Sequence, residues 1–325
     1  MFRASICLSV CCSIGLLSAQ HAPFEGPTEG VTFDLPTRSF RPITGSLGSA
    51  FLGPAVLGDF DQGSVAPHKN YGVAFRDGRC FLVSVLDSQQ ASTTMLPGCL
   101  NLPEDVAWSA DGSTAILYSR TDGWVQVLTG LPDSPTSGAV VSISPGSRMS
   151  AVAADDDGSH ILIGKTGDMP GVYLLGKDQA LALILSLANP TALAVAGTTA
   201  YAVDAGTSQV FELSLADWSS QSWRFDGLTD PVAIQPSRDA AMRNVIYIAG
   251  GSDRTLWVYD AGSHNPIAPL PVDFVPTMMV PLGNHSFLLR PRLSQDEPLW
   301  SFASDSPPMA YFIPAAPLTV SGGLQ

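Results

Sequence analysis

With 325 residues and 45% apolar composition the chain can bury a large core, and a net charge of −13 with only three lysines excludes a surface that tracks nucleic-acid phosphates or an anionic membrane. Charged residues are sparse at 14%, whereas the 30 glycines and 26 prolines are frequent, which suits many short strands joined by turns and excludes a mainly helical protein.

The chain opens on Arg3 and a short apolar run, 6–17, followed by the small residues Ser18 and Ala19. This reads as an export signal over 1–19, too short to be a stable membrane span. The mature protein is expected to be periplasmic or secreted, and no later stretch is long and apolar enough to cross a bilayer. Residues 20–30 read as a flexible lead-in and 31–325 as one domain. Cys7, Cys11 and Cys12 leave with the signal, so Cys80 and Cys99 remain as a pair in an oxidising compartment. A hairpin centred on Gln89-Gln90 sets these two opposite each other, and a disulfide between them is expected.

Segments 31–35 and 39–43 form a predicted hairpin around Pro36-Thr37-Arg38, and 44–60 is a glycine-rich connector. Six similar units of roughly 40 residues follow, each with four strands. Their first strands lie near 63–66, 105–109, 149–153, 191–195, 232–235 and 277–280. In the second unit the strands are 105–109, 114–118, 124–128 and 139–143, with an Asp111-Gly112 turn between the first two. Most strands are continuous apolar runs, such as Val245-Ile246-Tyr247-Ile248, rather than alternating ones. Both faces of each sheet are therefore expected to be covered, as in four-stranded sheets stacked radially.

The residues Trp108-Ser109-Ala110-Asp111-Gly112 resemble the Trp-Ser-Pro-Asp-Gly phrase of bacterial WD40-like propellers of the TolB type, with Ala110 where proline is usual. Tyr201-Ala202-Val203-Asp204, running on to Phe211, is similar to the blades of NHL and YVTN propellers. The resemblance implies an all-β fold, a single β-propeller of four-stranded antiparallel blades. Six blades are favoured over seven. In the seven-blade alternative the 31–43 hairpin acts as the outer pair of a further blade that 317–320 completes, so that the chain ends close the ring. Propellers carry many unrelated activities, so the resemblance implies no particular function.

Asp155-Asp156-Asp157-Gly158 aligns with Ala110-Asp111-Gly112 and reads as a turn between first and second strands; it lacks the spaced ligands of a calcium loop. His68, His160, His264 and His285 fall in turns of different units without zinc-ligand spacing. Glu104-Asp105 reads as a polar pair leading a strand rather than an acid–base pair. Trp124, Trp257 and Trp300 recur on third strands and are expected to pack between blades. No metal or cofactor site is expected.

Topology supplies the candidate site. In such a ring the loops after second strands share one face with the links between blades, and rigid scaffolds bind through loops of this kind. Those loops hold Arg76, Asp77, Arg79, Arg120, Asp122, Lys165, Asp168, Asp204, Asp253, Arg254, Arg290 and Arg292. The expectation is a noncatalytic, monomeric binding or scaffold module that recognises a polar or anionic partner, a protein segment or a glycan, at this face. The alternative is a propeller enzyme of lactonase-like or carbohydrate-active type, which would cluster acid, base or metal-binding groups at the channel mouth.

Overall fold

A computed structural model describes residues 27–314 apart from 47, 85, 87–89, 101, 144–146, 226, 239–242, 284 and 305–307. The expected export signal, Gln89 of the expected hairpin turn and 317–320 lie outside these residues. Seven antiparallel sheets, not six, stand around one axis. The first holds β1 (Thr28–Asp34), β2 (Ser39–Thr44), β3 (Phe51–Leu52) and β4 (Leu57–Gly58). The second holds β5 (Gln62–Val65), β6 (Gly72–Arg76), β7 (Arg79–Ser84) and β8 (Ser92–Met95). The third runs β9 (Asp105–Trp108), β10 (Ala115–Ser119), β11 (Trp124–Thr129) and β12 (Thr136–Ser142), and the fourth β13 (Ser147–Ala154), β14 (Ile161–Gly167), β15 (Gly171–Leu175) and β16 (Leu181–Ser186). The fifth has β17 (Pro190–Ala196), β18 (Thr199–Asp204), β19 (Gln209–Ser214) and β20 (Ser220–Arg224), and the sixth β21 (Pro231–Arg238), β22 (Asn244–Gly250), β23 (Thr255–Asp260) and β24 (Pro266–Pro271). β25 (Val280–Pro281), β26 (Ser286–Arg290), β27 (Leu299–Ala303) and β28 (Met309–Ile313) complete the seventh.

Period-two alternation explains the stacking. In β10, Ala115 and Leu117 enter a cluster with Val73, Phe75 and Leu82 of the second sheet. Ile116 and Tyr118 face the other way, into a cluster with Ile161 and Ile163 of the fourth. One strand therefore joins two cores, which is why its run is apolar throughout. Each such leucine, isoleucine, valine or phenylalanine contributes about 1.5–3 kcal/mol on burial. The outermost strands face water; β8 is exposed along its whole length. Trp124, Trp257 and Trp300 pack partly buried against clusters that join adjacent sheets, and Trp300 stacks on Phe274 with ring centroids 4.4 Å apart.

In sheets two to seven the chain starts at the axis and moves outward. The loops after second strands and the links between sheets form one face, called upper here; the remaining turns form the lower face. The first sheet departs from this order. Its hairpin was expected as an outer pair, but β1 is the innermost strand, and Val31, Thr32 and Phe33 line the central cavity. β1 also runs opposite to the other inner strands. Gly30 lies against Leu282 at the lower end of the seventh sheet, while Asp34 meets Arg292 in that sheet's upper loop. Counting gives the reason. β3 and β4 both pair with β2 and together occupy one strand position, so the sheet has three positions rather than four. The chain must leave on the upper face to enter β5, and an odd number of passes then requires the first strand to begin below. At the outer edge, Leu52 N–H donates to the carbonyl of Pro314, so the last described residue reaches the first sheet.

The expected disulfide is not present. The β7–β8 register sets Phe81 opposite Met95, and the carbonyl of Cys80 accepts from Leu96 N–H. Cys99 thus lies beyond the paired strands, and both cysteines are free thiols in one core cluster. A hydrogen bond with Cys99 and burial together push the Cys80 thiol far above its ordinary range.

Candidate functional site

The inner strands of all seven sheets enclose a central cavity of about 400 Å³. Its walls are mainly small and aliphatic: Val106 and Ala107, Ala151 to Ala153, Ala192 to Val195, Val232 to Ile234 and Met278 to Val280. Two hydroxyls among the lining residues, those of Ser150 and Thr191 on neighbouring strands, are buried without a protein hydrogen-bond partner. A polar ligand group could bond to them.

Asp105, Tyr118, Arg120, Leu35 and Leu293 surround the upper mouth. The β9–β10 register sets Asp105 beside Tyr118, and the tyrosine hydroxyl donates to the Asp105 carboxylate over 3.0 Å. Burial and then the charge of Asp105 push the Tyr118 hydroxyl well above its usual pKa, so it remains a donor. The Arg120 guanidinium lies 5.1 Å from the Tyr118 ring centroid, donates to the tyrosine oxygen over 3.0 Å and is 3.7 Å from Asp105. The Glu104 carboxylate accepts from Arg120 N–H and Thr121 N–H, at 2.8 and 3.0 Å, which fixes the loop carrying the guanidinium. Arg120 is thus an oriented yet half-exposed cation at the rim of an apolar hole.

The other loop residues singled out from the sequence lie farther out or hold the scaffold. Arg76 sits 5.2 Å from the ring centroids of both Phe60 and Phe81. Asp77 N–H donates to Asp61, and exposed Arg79 pairs across the turn with Arg76. The Asp122 carboxylate accepts from Ser119 Oγ at 3.1 Å. Lys165 is buried on β14 with its Nζ 4.2 Å from the Tyr173 ring centroid, and Asp168 is exposed in the loop that follows the strand. Asp204 is buried beneath its loop, accepting from Ala188 N–H, Asn189 N–H, Gly206 N–H and Thr207 Oγ1. Burial opposes its charge, but those donors outweigh burial and hold its pKa below the usual carboxylate range. Asp253 accepts from Trp257 Nε1 at 3.2 Å, while Arg254 is exposed on left-handed backbone. Arg290 pairs with Glu297 at 3.5 Å.

Arg292 also lines the cavity, but its guanidinium is buried against Asp34 at 3.2 Å and donates to the carbonyls of Glu297 and Gln295. Arg41 reaches the same carboxylate at 3.2 Å. This buried arginine–aspartate–arginine group clasps the first sheet to the seventh. Of the twelve loop residues, Arg120 alone both lines the cavity and stays open to solvent. Tyr118, Leu35 and Leu293 were not singled out from the sequence, and Asp105 was read there only as half of a polar pair leading a strand. The register of Tyr118 against a strand-leading acid was the available signal for Asp105 and Tyr118.

The turns read as structural are so employed. Gly112 has φ +81° and Gly158 φ +69°. Asp155 accepts from His160 N–H and contacts the His160 ring at 2.6 Å. Among the described residues no three His, Cys, Asp or Glu side chains group to hold a metal ion.

No protein-family model and no curated protein matches the sequence, so the WD40-like and NHL resemblance finds no sequence support. Solved structures do match. One is the dihydro-heme d1 dehydrogenase NirN in complex with DHE, with a TM-score of 0.56 and 14% identity over 91% of this chain and 66% of that one. This chain therefore spans slightly less than two thirds of the NirN chain. Both are β-propellers. Apo AztD from Citrobacter koseri is similar at a TM-score of 0.45 and 15% identity, over 77% of this chain and 73% of that one. At these identities the likeness concerns the fold alone. Among the described residues, no helix is long and apolar enough to cross a membrane.

Proposed function

We propose that this chain is an exported, noncatalytic binding module that takes its partner at the upper mouth of the central cavity. The observation that supports this reading best is Arg120, held by Tyr118 and the Glu104-anchored loop at the rim of an apolar cavity. Rigid scaffold, concave apolar walls and a few convergent polar groups are the usual make-up of a binding site. The unpartnered hydroxyls of Ser150 and Thr191 add polar contacts deeper in. The export part of the reading rests on Arg3, the 6–17 apolar run and Ala19.

The test uses the purified chain against panels of peptides and glycans, with Ala233→Trp to fill the cavity and Arg120→Ala to remove the cation. A ligand is expected whose binding falls in both variants. Binding that survives both changes, or turnover of the ligand during incubation, would refute the proposal; turnover would favour a propeller enzyme instead.

A further inference from the structure

We infer that the upper face is a docking surface for a basic polypeptide segment bearing aliphatic side chains; this rests on the binding-module reading and names its partner. Five of the twelve exposed large apolar side chains, Leu35, Leu102, Met169, Val275 and Leu293, are in loops of the upper face. The other seven are on strands β3, β8, β12, β16, β24 and β28, and among the described residues none is at a lower-face turn. The five come from different parts of the ring, and two of them line the cavity mouth.

Backbone conformation makes this placement more telling. Leu102 has φ 47° and Met169 φ 51°, the left-handed region where glycine, asparagine or aspartate is the ordinary occupant. Both side chains are open to water, at 52% and 69% exposure, so no side-chain packing offsets the strain, and Met169 is held only through its carbonyl, which accepts from the Tyr173 hydroxyl at 2.6 Å. Trp218, left-handed on the lower face at φ 59°, is instead partly buried against a core cluster. Strained backbone held in place in this way clusters at binding surfaces.

Charge selects the partner. Exposed carboxylates accompany four of the apolar tips: Glu104 with Leu102, Asp168 with Met169, Asp273 with Val275 and Asp296 with Leu293. Several cations of the face are engaged within the protein, as in Arg38–Asp61 at 2.6 Å, Arg290–Glu297 and the buried Arg292. A partner that alternates aliphatic and basic side chains meets apolar tips and carboxylates together. One of its aliphatic groups fits the cavity between Leu35 and Leu293. Exposed Arg79, Arg148 and Arg254 lie on the same face, but its exposed carboxylates outnumber them, so an anionic bilayer or acidic glycan would meet more like charge than complement. Arg120, 3.7 Å from Asp105, is left to donate to main-chain carbonyls of the segment.

Fluorescent peptides of equal length, alternating Lys/Leu, Lys/Ser or Glu/Leu, are titrated against the full chain by anisotropy. The Lys/Leu peptide is expected to bind at least roughly tenfold tighter than the others and to weaken with salt. Leu102→Ser, Met169→Ser and Leu293→Ser combined should lose at least about tenfold. Asp133→Asn, Asp178→Asn and Asp217→Asn on the lower face should lose nothing. Thermal melting confirms the fold, and Met169→Ser alone serves where the triple variant does not fold. Equal binding of the Lys/Leu and Lys/Ser peptides, or equal loss in the lower-face variant, overturns the inference. So does a dimer, or binding to phosphatidylcholine vesicles, that the upper-face variant abolishes in place of peptide binding. If the peptides fail while Ala233→Trp still abolishes a ligand from the panels, the partner class falls and the binding module stands.

Discussion

The two faces of the ring are built by the same strands and differ in how they treat local preference. Below, Asp-Gly turns use residue types suited to their backbone and bond from one sheet to the next. Asp111 N–H donates to the Asp156 carboxylate at 2.9 Å, Thr114 Oγ1 to the Asp156 carbonyl at 2.9 Å, and Tyr71 hydroxyl to the Gly112 carbonyl at 3.2 Å. Above, buried acids pin the loops from beneath while their tips carry leucine and methionine against backbone and solvent preference. Left-handed non-glycine residues occur on both faces, Gln179 and Trp218 below among them, but only above do they include exposed leucine and methionine, which points to a use for that face.

The largest expected effect removes the clasp under the upper face. Asp34→Ala leaves the buried Arg292 guanidinium, and Arg41 beside it, without a countercharge. The expected loss is about 3–5 kcal/mol, read from the urea midpoint at constant slope. A loss near that of an exposed ion pair would mean that the apolar clusters alone join the first and seventh sheets.

Asp204→Asn comes next. One carboxylate holds four donors, and hydrogen bonds to a charged group are worth about 1.5–3 kcal/mol. We expect a net cost of about 2 kcal/mol at neutral pH, since the amide retains some acceptors. The folded pKa is depressed, so this stability is full above the unfolded value near 3.9 and disappears as pH falls through the folded value. The difference between the native chain and Asp204→Asn should therefore narrow below about pH 4. A difference independent of pH would assign the effect to shape rather than charge.

The lower face gives a smaller effect. A Cβ on Gly112 would meet the Ala66 Cβ at 3.0 Å and the Tyr71 hydroxyl at 3.2 Å, and φ +81° disfavours it as well. Gly112→Ala should cost about 1–2 kcal/mol by denaturant melt and leave ligand affinity at the upper mouth unchanged. A change in that affinity would erase the distinction between the faces.

Much of this architecture was legible in the residues. Six units could be read because strands such as β22, buried from Val245 to Gly250, are apolar on both sides, and because Asp-Gly turns set the phase that separates the faces. The first sheet escaped because β3 and β4 are two residues each, set among glycines and prolines that read as a connector. β1 begins at Thr28, inside the stretch read as a lead-in, and its reversed direction follows from a strand count invisible without β3 and β4. The Cys80–Cys99 expectation misplaced the register, since Leu96 is set against Cys80; the two thiols still meet through a hydrogen bond but are not joined. Within the site, Arg120 and Arg292 look alike in sequence; only the distant Asp34 makes one a buried anchor and leaves the other at the rim. Leu102 and Met169 carried no signal, since an apolar loop residue is unremarked until its φ and exposure are known.

Met169→Asn carries the smallest effect and the sharpest distinction. Asparagine tolerates the left-handed conformation better than methionine and does not loosen the unfolded chain as glycine would. Because the Met169 side chain is exposed and asparagine keeps the carbonyl that accepts from the Tyr173 hydroxyl, the change should raise stability by about 0.5 kcal/mol, measured as an upward shift of the denaturant midpoint. Its strained placement is retained, on our reading, for what it touches outside the chain. The same variant should therefore weaken the Lys/Leu peptide while it stabilises the fold. Opposite signs in one substitution separate a contact residue from a packing residue, since loss of packing would lower both. If stability falls, Met169 supports its loop; if affinity holds, the strain at φ 51° has another cause.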